Sequence, residues 1–399
     1  MTITTLGELR TRGLLDFNDG YRTKKDQLAA SGFRIIRAGD INNGEVSPTG
    51  PDHVAEAYAS AIGQKVLHDN DVVLTTKGTI GRTALVRDAT GHEIYSPQLC
   101  FFRPDSSVLL AKYLYFWLSG PEFTYQSSFM KNSTDMAPYI SLSQLSDTRI
   151  TLPPLPEQQA IAEVLGALDD KIAANRKLVT TAESYLRAIF DRDLASNDLP
   201  TSPLDSIVQL NPKRPAPKDP APLIPMQALP TPGITIPEFT RDTPKGGVRF
   251  TNGDTLLARI TPCLENGKTA FVGSLAEGEI GIGSTEYIVL RSIEPYPLEV
   301  SYFIATDATF RAEAIRRMTG TSGRQRVKAQ DVARVPIHLT SDRAAMRQFG
   351  DLARSCFQHA EILSAESRTL ASLRDTLLPA LMDGTIRVKD AETHVEEVL

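Results

Sequence analysis

The stretch LPPLPEQQAIAEVLGALDDKIAANRKLVTTAESYLRAIFDRDL, residues 152–194, decides the fold of this chain. It opens with three prolines, which end a preceding strand and suit the first turn of a helix. Apolar side chains then recur at alternating steps of four and three, with one strongly polar exception. These positions are Ile161, Leu165, Leu168, Ile172, Asn175, Val179, Ala182, Leu186 and Ile189. Such a heptad seam predicts a long helix that packs along another helix.

A second heptad region lies near the end of the chain, at residues 341–382. Its seam positions are Ala345, Phe349, Leu352, Cys356, His359, Leu363, Glu366, Leu370, Leu373 and Leu377. The motif TAES at 181–184 recurs as SAES at 364–367. Regular self-similarity indicates an internal repeat. We therefore predict two halves, each a globular block followed by a long helix.

The order of elements in the globular blocks repeats as well. NGDTLLARITPCLENGKTAFV at 252–272 stands where DNDVVLTTKGTIGRTALV stands at 69–86. PLIPMQALPTPG at 222–233 stands where FRIIRAGDINNG stands at 33–44. The segments at 69–86 and 252–272 each read as two β-rich runs joined by a glycine-containing turn. One scaffold is predicted to be used twice with different surface side chains.

The totals fit a chain of two or three domains, with 399 residues and 41% hydrophobic side chains. No stretch approaches the roughly 20 apolar residues of a membrane helix. The start, MTITTLGELRTRG, lacks the apolar region of a secretory signal. The three cysteines are too far apart in sequence for a metal-binding CxxC pair. We expect a cytoplasmic protein with no membrane partner.

The net charge of −5 is unevenly distributed. Residues 156–202 carry five basic and eight acidic side chains, and residues 341–399 carry seven and ten. Residues 1–155 and 203–340 are close to neutral. Because binding to a polyanion depends on local clusters, the acidic total does not exclude nucleic-acid binding by the globular blocks.

In the first block, a lysine, an arginine and hydroxyl groups share one tight turn, at Lys77, Thr79 and Arg82. Such turns offer charge and backbone N–H groups to phosphates or base edges. A polar loop is predicted at 127–141, and it adds Lys131 and Asn132 as candidates. The alternative is that both segments are merely solvated loops.

The second block has an arginine cluster between Arg311 and Arg334 that surrounds the glycine-rich segment MTGTSGRQRV, 318–327. Arginine can read guanine and glutamine can read adenine. The DNA-binding candidates are Arg259, Lys268, Arg316, Arg317, Ser322, Arg324, Gln325 and Arg326. The alternative is a solvated charged face.

Catalytic motifs are not evident in the sequence. Glu265–Thr269 resembles a phosphate-binding loop, but Pro262 replaces its first glycine. No methyltransferase tetrad or clustered metal ligand is found. Asp254, Glu265 and Lys268 could form a nuclease site, although they fit better as turn residues. We predict a recognition module with no catalytic residue, cofactor or metal of its own.

Three segments resemble the specificity subunit of type I restriction-modification systems. They are LPPLPEQQAIAEVLGALDDKI (152–172), GDTLLARITPCLENGKTAFV (253–272) and LRDTLLPALMDGTIRV (373–388). The second long helix departs from the family, because it begins LTSDRAAMRQF rather than with a Pro-x-Glu-Gln opening. The resemblance implies two target recognition domains that each bind half of a bipartite, asymmetric double-stranded DNA target. It also implies docking of two methyltransferase subunits and of restriction subunits, which would carry S-adenosylmethionine, ATP and Mg.

The predicted architecture is therefore α+β, with two mixed α/β target recognition domains separated by two long antiparallel helices in a pseudo-twofold repeat. The predicted bounds are 1–151 and 196–340 for the domains, 152–195 and 341–384 for the helices, and 385–399 for a C-terminal tail. A helix of about 36 residues spans about 54 Å, more than one turn of B-DNA. A stand-alone DNA-binding coiled-coil adaptor is the alternative.

The contacts predicted between the two helices involve ten seam residues. They are Ile161, Leu165, Leu168, Ile172 and Asn175 on the first helix, and Phe349, Leu352, Leu363, Leu370 and Leu373 on the second. Asn175 is expected to face His359 or Glu366, since a polar residue in a seam can fix the register of two helices.

Overall fold

The computed structural model describes residues 2–48, 50–131, 138–195, 198–243, 246–321 and 323–396. The chain divides into two compact units. The first unit comprises residues 1–170 and 370–399, and the second comprises residues 171–369. Among the described residues, no helix is both long and apolar enough to cross a membrane.

The strands are short. Those of the first unit are β1 (Thr2–Thr5), β2 (Leu15–Asp19), β3 (Leu28–Ala29), β4 (Phe33–Ile36), β5 (Ile41–Asn42), β6 (Glu45–Val46), β7 (His53–Val54), β8 (Val72–Thr75), β9 (Thr83–Leu85), β10 (Glu93–Tyr95), β11 (Leu99–Pro104) and β12 (Arg149–Leu152). Those of the second are β13 (Thr201–Pro203), β14 (Val208–Leu210), β15 (Ala221–Ile224), β16 (Thr240–Asp242), β17 (Val248–Phe250), β18 (Thr255–Ala258), β19 (Thr269–Phe271), β20 (Gly281–Gly283), β21 (Tyr287–Ser292) and β22 (Pro336–His338).

Two helices are much longer than the others. The helices are α1 (Leu6–Thr11), α2 (Ala59–Ile62), α3 (Ala111–Ser119), α4 (Pro121–Lys131), α5 (Leu142–Asp147), α6 (Leu155–Ile189), α7 (Val300–Ala305), α8 (Ala308–Arg316), α9 (Ala329–Ala333), α10 (Arg343–Met382) and α11 (Val388–Glu396). Helix α6 has 35 residues and continues into a π-helical turn at Phe190–Leu194, and α10 has 40. They account for the two predicted heptad regions.

The first unit is built on two four-stranded sheets with the strand orders β2-β11-β8-β9 and β10-β4-β7-β3. The first sheet is antiparallel, with Leu99 opposite Thr75, and β10 pairs parallel to β4. Helix α3 follows β11 and ends before Gly120. The loop predicted at 127–141 is partly wrong. Residues 127–131 continue α4, because buried Phe123 and Ser127 face the protein interior one turn apart.

The second unit repeats this topology. Its antiparallel sheet has the order β14-β21-β18-β19, and its other sheet, β16-β15-β20-β17, also contains a parallel pair. Two-stranded ribbons, β1-β12 and β13-β22, complete the correspondence. The predicted α+β class and the internal repeat are confirmed. The units differ at the edge of the mixed sheet, where β3 lies beside β7 but β17 lies beside β20.

Strand register gives a residue-by-residue equivalence between the units. Leu99 pairs with Thr75 in the first, and Tyr287 pairs with Ala258 in the second. The strand before each turn begins after a buried aspartate that binds an arginine of the central strand: Asp71 with Arg103, and Asp254 with Arg291. The same carboxylate–guanidinium contact, at 2.7 Å in both units, anchors both sheets.

The long helices pack side by side and antiparallel within the second unit. Asn175 of α6 donates to Glu366 Oε2 of α10 at 2.6 Å, and farther along the rings of Phe190 and Phe349 lie 5.5 Å apart. The structure therefore places Glu366, and not His359, opposite Asn175. Within the first unit, Asp169 of α6 accepts from Arg374 of α10 at 2.6 Å.

The five predicted seam residues of α6 are buried, whereas the buried face of α10 is shifted by one residue over part of its length. The buried predicted positions are Ile161, Leu165, Leu168, Ile172, Asn175, Phe349, Leu363 and Leu370, while Leu373 is half-buried. Leu352 is 37% exposed, so its predicted place in the seam is wrong. Ala353 and Phe357 are buried instead, and the ring of Phe357 lies 4.9 Å from that of Phe271. Here α10 turns its apolar side toward the core of the globular block, which a heptad count does not capture.

Candidate nucleic-acid interface

The turn between β8 and β9 holds the first predicted basic cluster in a fixed shape. The Thr75 hydroxyl donates to the Thr79 carbonyl at 2.5 Å and accepts from the Arg82 N–H at 2.9 Å. Gly78 and Gly81 have φ values of +77° and +96°, a region that favours glycine. The exposed side chains of Thr79 and Arg82 are thus carried on a backbone that is already ordered.

A second segment of the first unit lies against this turn. The Ile140 N–H donates to the Thr76 carbonyl at 3.0 Å, and Tyr139 forms an isolated antiparallel β-bridge with Lys77. Arg82 donates to Asn42 Oδ1 at 2.9 Å. The structure therefore brings Lys77, Thr79 and Arg82 together with two residues that the sequence did not single out, Tyr139 and Asn42. Lys131 is the last residue of α4, and Asn132 lies outside the described residues.

The equivalent turn of the second unit, between β18 and β19, is closed differently. Lys268 Nζ donates to the Met226 carbonyl at 2.8 Å, so the ammonium group serves this internal contact. Its predicted role in DNA contact is therefore not supported by its position. Gly267 has φ +75°, and a Cβ there would lie 2.5 Å from an Arg311 guanidinium nitrogen. The turn and α8 approach each other closely at this glycine.

The glycine-rich segment of the second unit folds into a small hairpin. Thr319 and Arg326 exchange two backbone hydrogen bonds of 2.9 Å, and the Arg324 N–H donates to the Thr321 carbonyl at 3.0 Å. The hairpin is fixed to the end of β18, because the Val327 N–H donates to the Arg259 carbonyl at 3.0 Å. Arg324 is exposed at the tip, Gln325 is half-buried, and Ser322 lies outside the described residues.

The arginines of this cluster fall into two groups. Arg326 makes a bidentate contact with Glu286 at 2.8 and 2.9 Å, and Arg259 Nε lies 3.6 Å from the same carboxylate. The hydrogen bonds from Arg326 lower the pKa of Glu286. Arg316 and Arg317 both pair with Glu313 of α8. Arg316, Arg317 and Arg326 are therefore paired with carboxylates within the unit, whereas Arg324 is exposed at the hairpin tip.

Glu286 is the residue of this site that the sequence analysis missed. It precedes β21 and lies 40 residues from Arg326 in sequence. The Arg259 N–H donates to the Glu286 carbonyl at 3.0 Å, as the Thr76 N–H donates to the Gln98 carbonyl at 2.8 Å in the first unit. Aligning the runs QLCFFRP and EYIVLRS in the two blocks would have shown that Gln98 and Glu286 are equivalent.

The residues of the alternative nuclease site do not form a metal centre. Asp254 is fully buried and accepts from Arg214 and Arg291 at 2.8 and 2.7 Å, while Lys268 has the carbonyl partner described above. Within the described ranges, no group of three or more His, Cys, Asp or Glu residues could hold a metal ion. Asp254 is a structural residue of the sheet.

Comparison with known proteins gives a match over a region that overlaps most of the first unit. Residues 6–183 match the family described as "Type I restriction modification DNA specificity domain". The chain is 31% identical over 148 residues to the type I restriction enzyme EcoAI specificity subunit of Escherichia coli, a match that covers 36% of this chain and 25% of that protein. A match of 30% over 150 residues to the EcoEI specificity subunit of the same organism covers 36% and 24%. The chain thus spans about a quarter of the length of these two relatives.

A solved structure extends the similarity of fold to nearly the whole chain. The type I restriction-modification S subunit from M. genitalium aligns with a TM-score of 0.53 and 15% identity, over 95% of both chains. Residues 6–183 therefore match the DNA specificity domain of type I restriction-modification systems, and the chain as a whole is similar in fold to the S subunit of one such system.

Proposed function

We propose that this chain is the non-catalytic DNA-recognition and assembly subunit of a type I restriction-modification complex in the cytoplasm. Each unit would bind one half of a bipartite, asymmetric target in double-stranded DNA. The observation that carries the proposal is a basic site beside the equivalent anchored strand of each unit. Lys77, Arg82 and Tyr139 lie at or against the turn after β8 in the first unit, and Arg324 and Arg326 lie on the hairpin beside the end of β18 in the second.

The difference between the two sites supports an asymmetric target. The first unit presents lysine, arginine, threonine and tyrosine at its turn, and the second presents an arginine-rich hairpin. Base contacts come from side chains, whereas phosphate contacts mainly fix the position of a protein on the duplex. Two sites on equivalent strands with different side chains would read different bases.

The long helices are proposed to bind partner subunits. On α6, Leu178 and Tyr185 are 56% and 58% exposed, and they lie seven residues apart on one face. On α10, Ile362 is 63% exposed. These side chains, on helices with an acidic excess, suit helices of the two methyltransferase subunits better than DNA. Restriction subunits would join through the same assembly.

The length of the helices is proposed to set the number of unread bases between the half-sites. Helix α6, with 35 residues, is about 52 Å long. Removing one heptad from each helix would shorten both by about 10 Å, equivalent to about three base pairs. We expect the half-sites to stay the same while the spacer becomes shorter.

The decisive experiment combines the chain with its methyltransferase partner and maps methylated sites across a genome. We expect one bipartite sequence for the natural chain. Replacing residues 203–340 with another recognition domain should change one half-site and leave the other unchanged. Methylation of an unsplit sequence, or an unchanged target after the replacement, would contradict the proposal.

Exposed basic residues give a matched test of DNA contact. Arg82→Gln in the first unit and Arg324→Gln in the second should each weaken binding to the target duplex. Each should also reduce the slope of log affinity against log salt by about one where the arginine contacts a phosphate. Arg192→Gln, at an exposed arginine paired with Asp193 beyond the C-terminus of α6, is the control and should change neither. Equal effects of all three substitutions would indicate a general charge effect.

A further inference from the structure

The Glu286 carboxylate lies at the centre of the recognition site of the second unit. It receives three hydrogen bonds of 2.8 to 2.9 Å from Arg326 and lies 3.6 Å from Arg259 Nε. A planar guanidinium that forms a bidentate contact with a carboxylate has a defined orientation. This acidic side chain therefore orients Arg326 through hydrogen bonds and attracts Arg259 through its charge, since Arg259 Nε has no hydrogen-bond partner within the described part of the chain.

The backbone around this carboxylate is fixed on both sides. The Glu286 N–H donates to Ser284 Oγ at 3.1 Å, and its carbonyl accepts from the Arg259 N–H at 3.0 Å. Arg326 belongs to the hairpin and also forms an isolated antiparallel β-bridge with Ile260. The three charged groups thus come from the end of β18, the start of β21 and the hairpin, and Glu286 links these elements.

The exposure of these groups indicates orientation rather than stability as their main role. The side chains of Glu286, Arg326 and Arg259 are 25%, 38% and 29% exposed. Ion pairs that water reaches contribute about 1 kcal/mol or less. The same arginines remain accessible to a bound polyanion.

The first unit has neither charge at the equivalent positions. Gln98 stands at the place of Glu286, and Tyr139 stands at the place of Arg326, as the matched backbone hydrogen bonds and bridges show. The carboxylate is therefore not required to build this scaffold. Its presence is specific to the site of the second unit.

We propose that Glu286 is a specificity-determining positioning residue, which holds Arg326 and Arg259 toward the bases and away from indiscriminate contact with phosphates. This inference rests on the function proposed above and attributes the discrimination at one half-site to one carboxylate. Without it, both guanidinium groups are free to follow the DNA backbone. Binding to DNA of any sequence then becomes tighter, while discrimination at one half-site is lost.

The test uses the full chain and a pool of random-sequence DNA duplexes, with sequencing of the bound fraction. The natural chain should enrich two short blocks at a fixed spacing. Glu286→Gln should keep one block and lose the block that replacement of residues 203–340 also changes. For the random pool, the slope of log affinity against log salt concentration should steepen by about one to two. The affinity of this variant for the pool at about 0.1 M salt should rise on the order of tenfold.

The matched control is Glu279→Gln. Glu279 makes a similar bidentate contact with Arg241, at 2.5 and 3.1 Å, so this substitution also frees one arginine and changes the net charge equally. Both blocks should survive in it. Arg326→Gln should lose the same block as Glu286→Gln but with weaker binding to random DNA. The thermal unfolding temperatures should stay close to that of the natural chain, which separates positioning from unfolding.

The outcomes separate this inference from the proposed function. If the natural chain enriches two blocks and Glu286→Gln retains both, the positioning role is wrong although the function stands. If Glu279→Gln loses the same sequence block as Glu286→Gln, the loss is a general charge effect and the inference is wrong. If the natural chain enriches no bipartite sequence, the proposed function fails first.

Discussion

The Glu361→Gln substitution should stabilise the second unit at alkaline pH. Glu361 lies on α10 with its carboxyl group against Gly273, where an added Cβ would be 3.0 Å from Oε1. Within the described part of the chain, both carboxyl oxygens are buried without a hydrogen-bond partner. Burial raises the pKa of Glu361 from 4.5 to about 7, and the charge of Arg368 lowers it by a smaller amount. The ionised carboxylate is therefore poorly accommodated in the folded chain.

The direction of the pH dependence follows from this raised pKa. Between about pH 4.5 and about pH 7, the folded chain holds the proton and the unfolded chain releases it. The free energy of unfolding therefore falls as the pH rises through this interval and is lowest above pH 7. The difference between the two pKa values corresponds to about 3 kcal/mol. A neutral glutamine should recover about 2 kcal/mol of this lost stability. The recovery is incomplete because the buried amide also lacks hydrogen-bond partners.

Chemical denaturation of the full chain at pH 5 and at pH 8 tests this reasoning. Glu361→Gln should be close to the natural chain at pH 5 and clearly more stable at pH 8. Asp351→Asn is the control, since the Asp351 side chain is 79% exposed on the same helix, and it should show no such difference. The reasoning is refuted if Glu361→Gln changes stability equally at both pH values, or if it destabilises the chain at pH 8.

Three further substitutions test the packing of the units. Asp254→Asn should destabilise the second unit by about 3 kcal/mol in urea unfolding, because it leaves Arg214 and Arg291 without their buried carboxylate; a loss below 1 kcal/mol would contradict this. Asn175→Ala should cost about 2 kcal/mol through its contact with Glu366, and a double-mutant cycle with Glu366→Gln should be non-additive; simple additivity would show that the pair is uncoupled. Gly267→Ala should lower the thermal unfolding temperature by several degrees, because φ is +75° and the Cβ meets Arg311, and an unchanged temperature would count against a close approach.

Local sequence signals predicted the elements of this fold well. The heptad spacing located both long helices, since burial of one helix face follows from the period of the apolar residues. Glycine-containing turns located β8–β9 and β18–β19, and the repeated order of elements predicted the matching topology of the units. The helical continuation of α4 was missed, because the polar residues of 127–131 look like a loop until the packing of Phe123 is known.

The site was only partly predictable for the same physical reason. Sequence showed that basic residues cluster near Lys77 and near Arg324, because clustering along the chain is a local property. It could not show that Arg326 meets Glu286, that Lys268 caps a carbonyl of Met226, or that Leu352 faces solvent.

Composition, periodicity and turn chemistry by themselves determined that this chain has two similar globular blocks and two long helices. The tertiary structure decided which charges are paired and which remain exposed. Those contacts join residues tens of positions apart, and only the register of the strands and the packing of α10 bring them within hydrogen-bond distance. Pairing of charges depends on this geometry, whereas formation of the helices and strands depends mainly on neighbours in sequence.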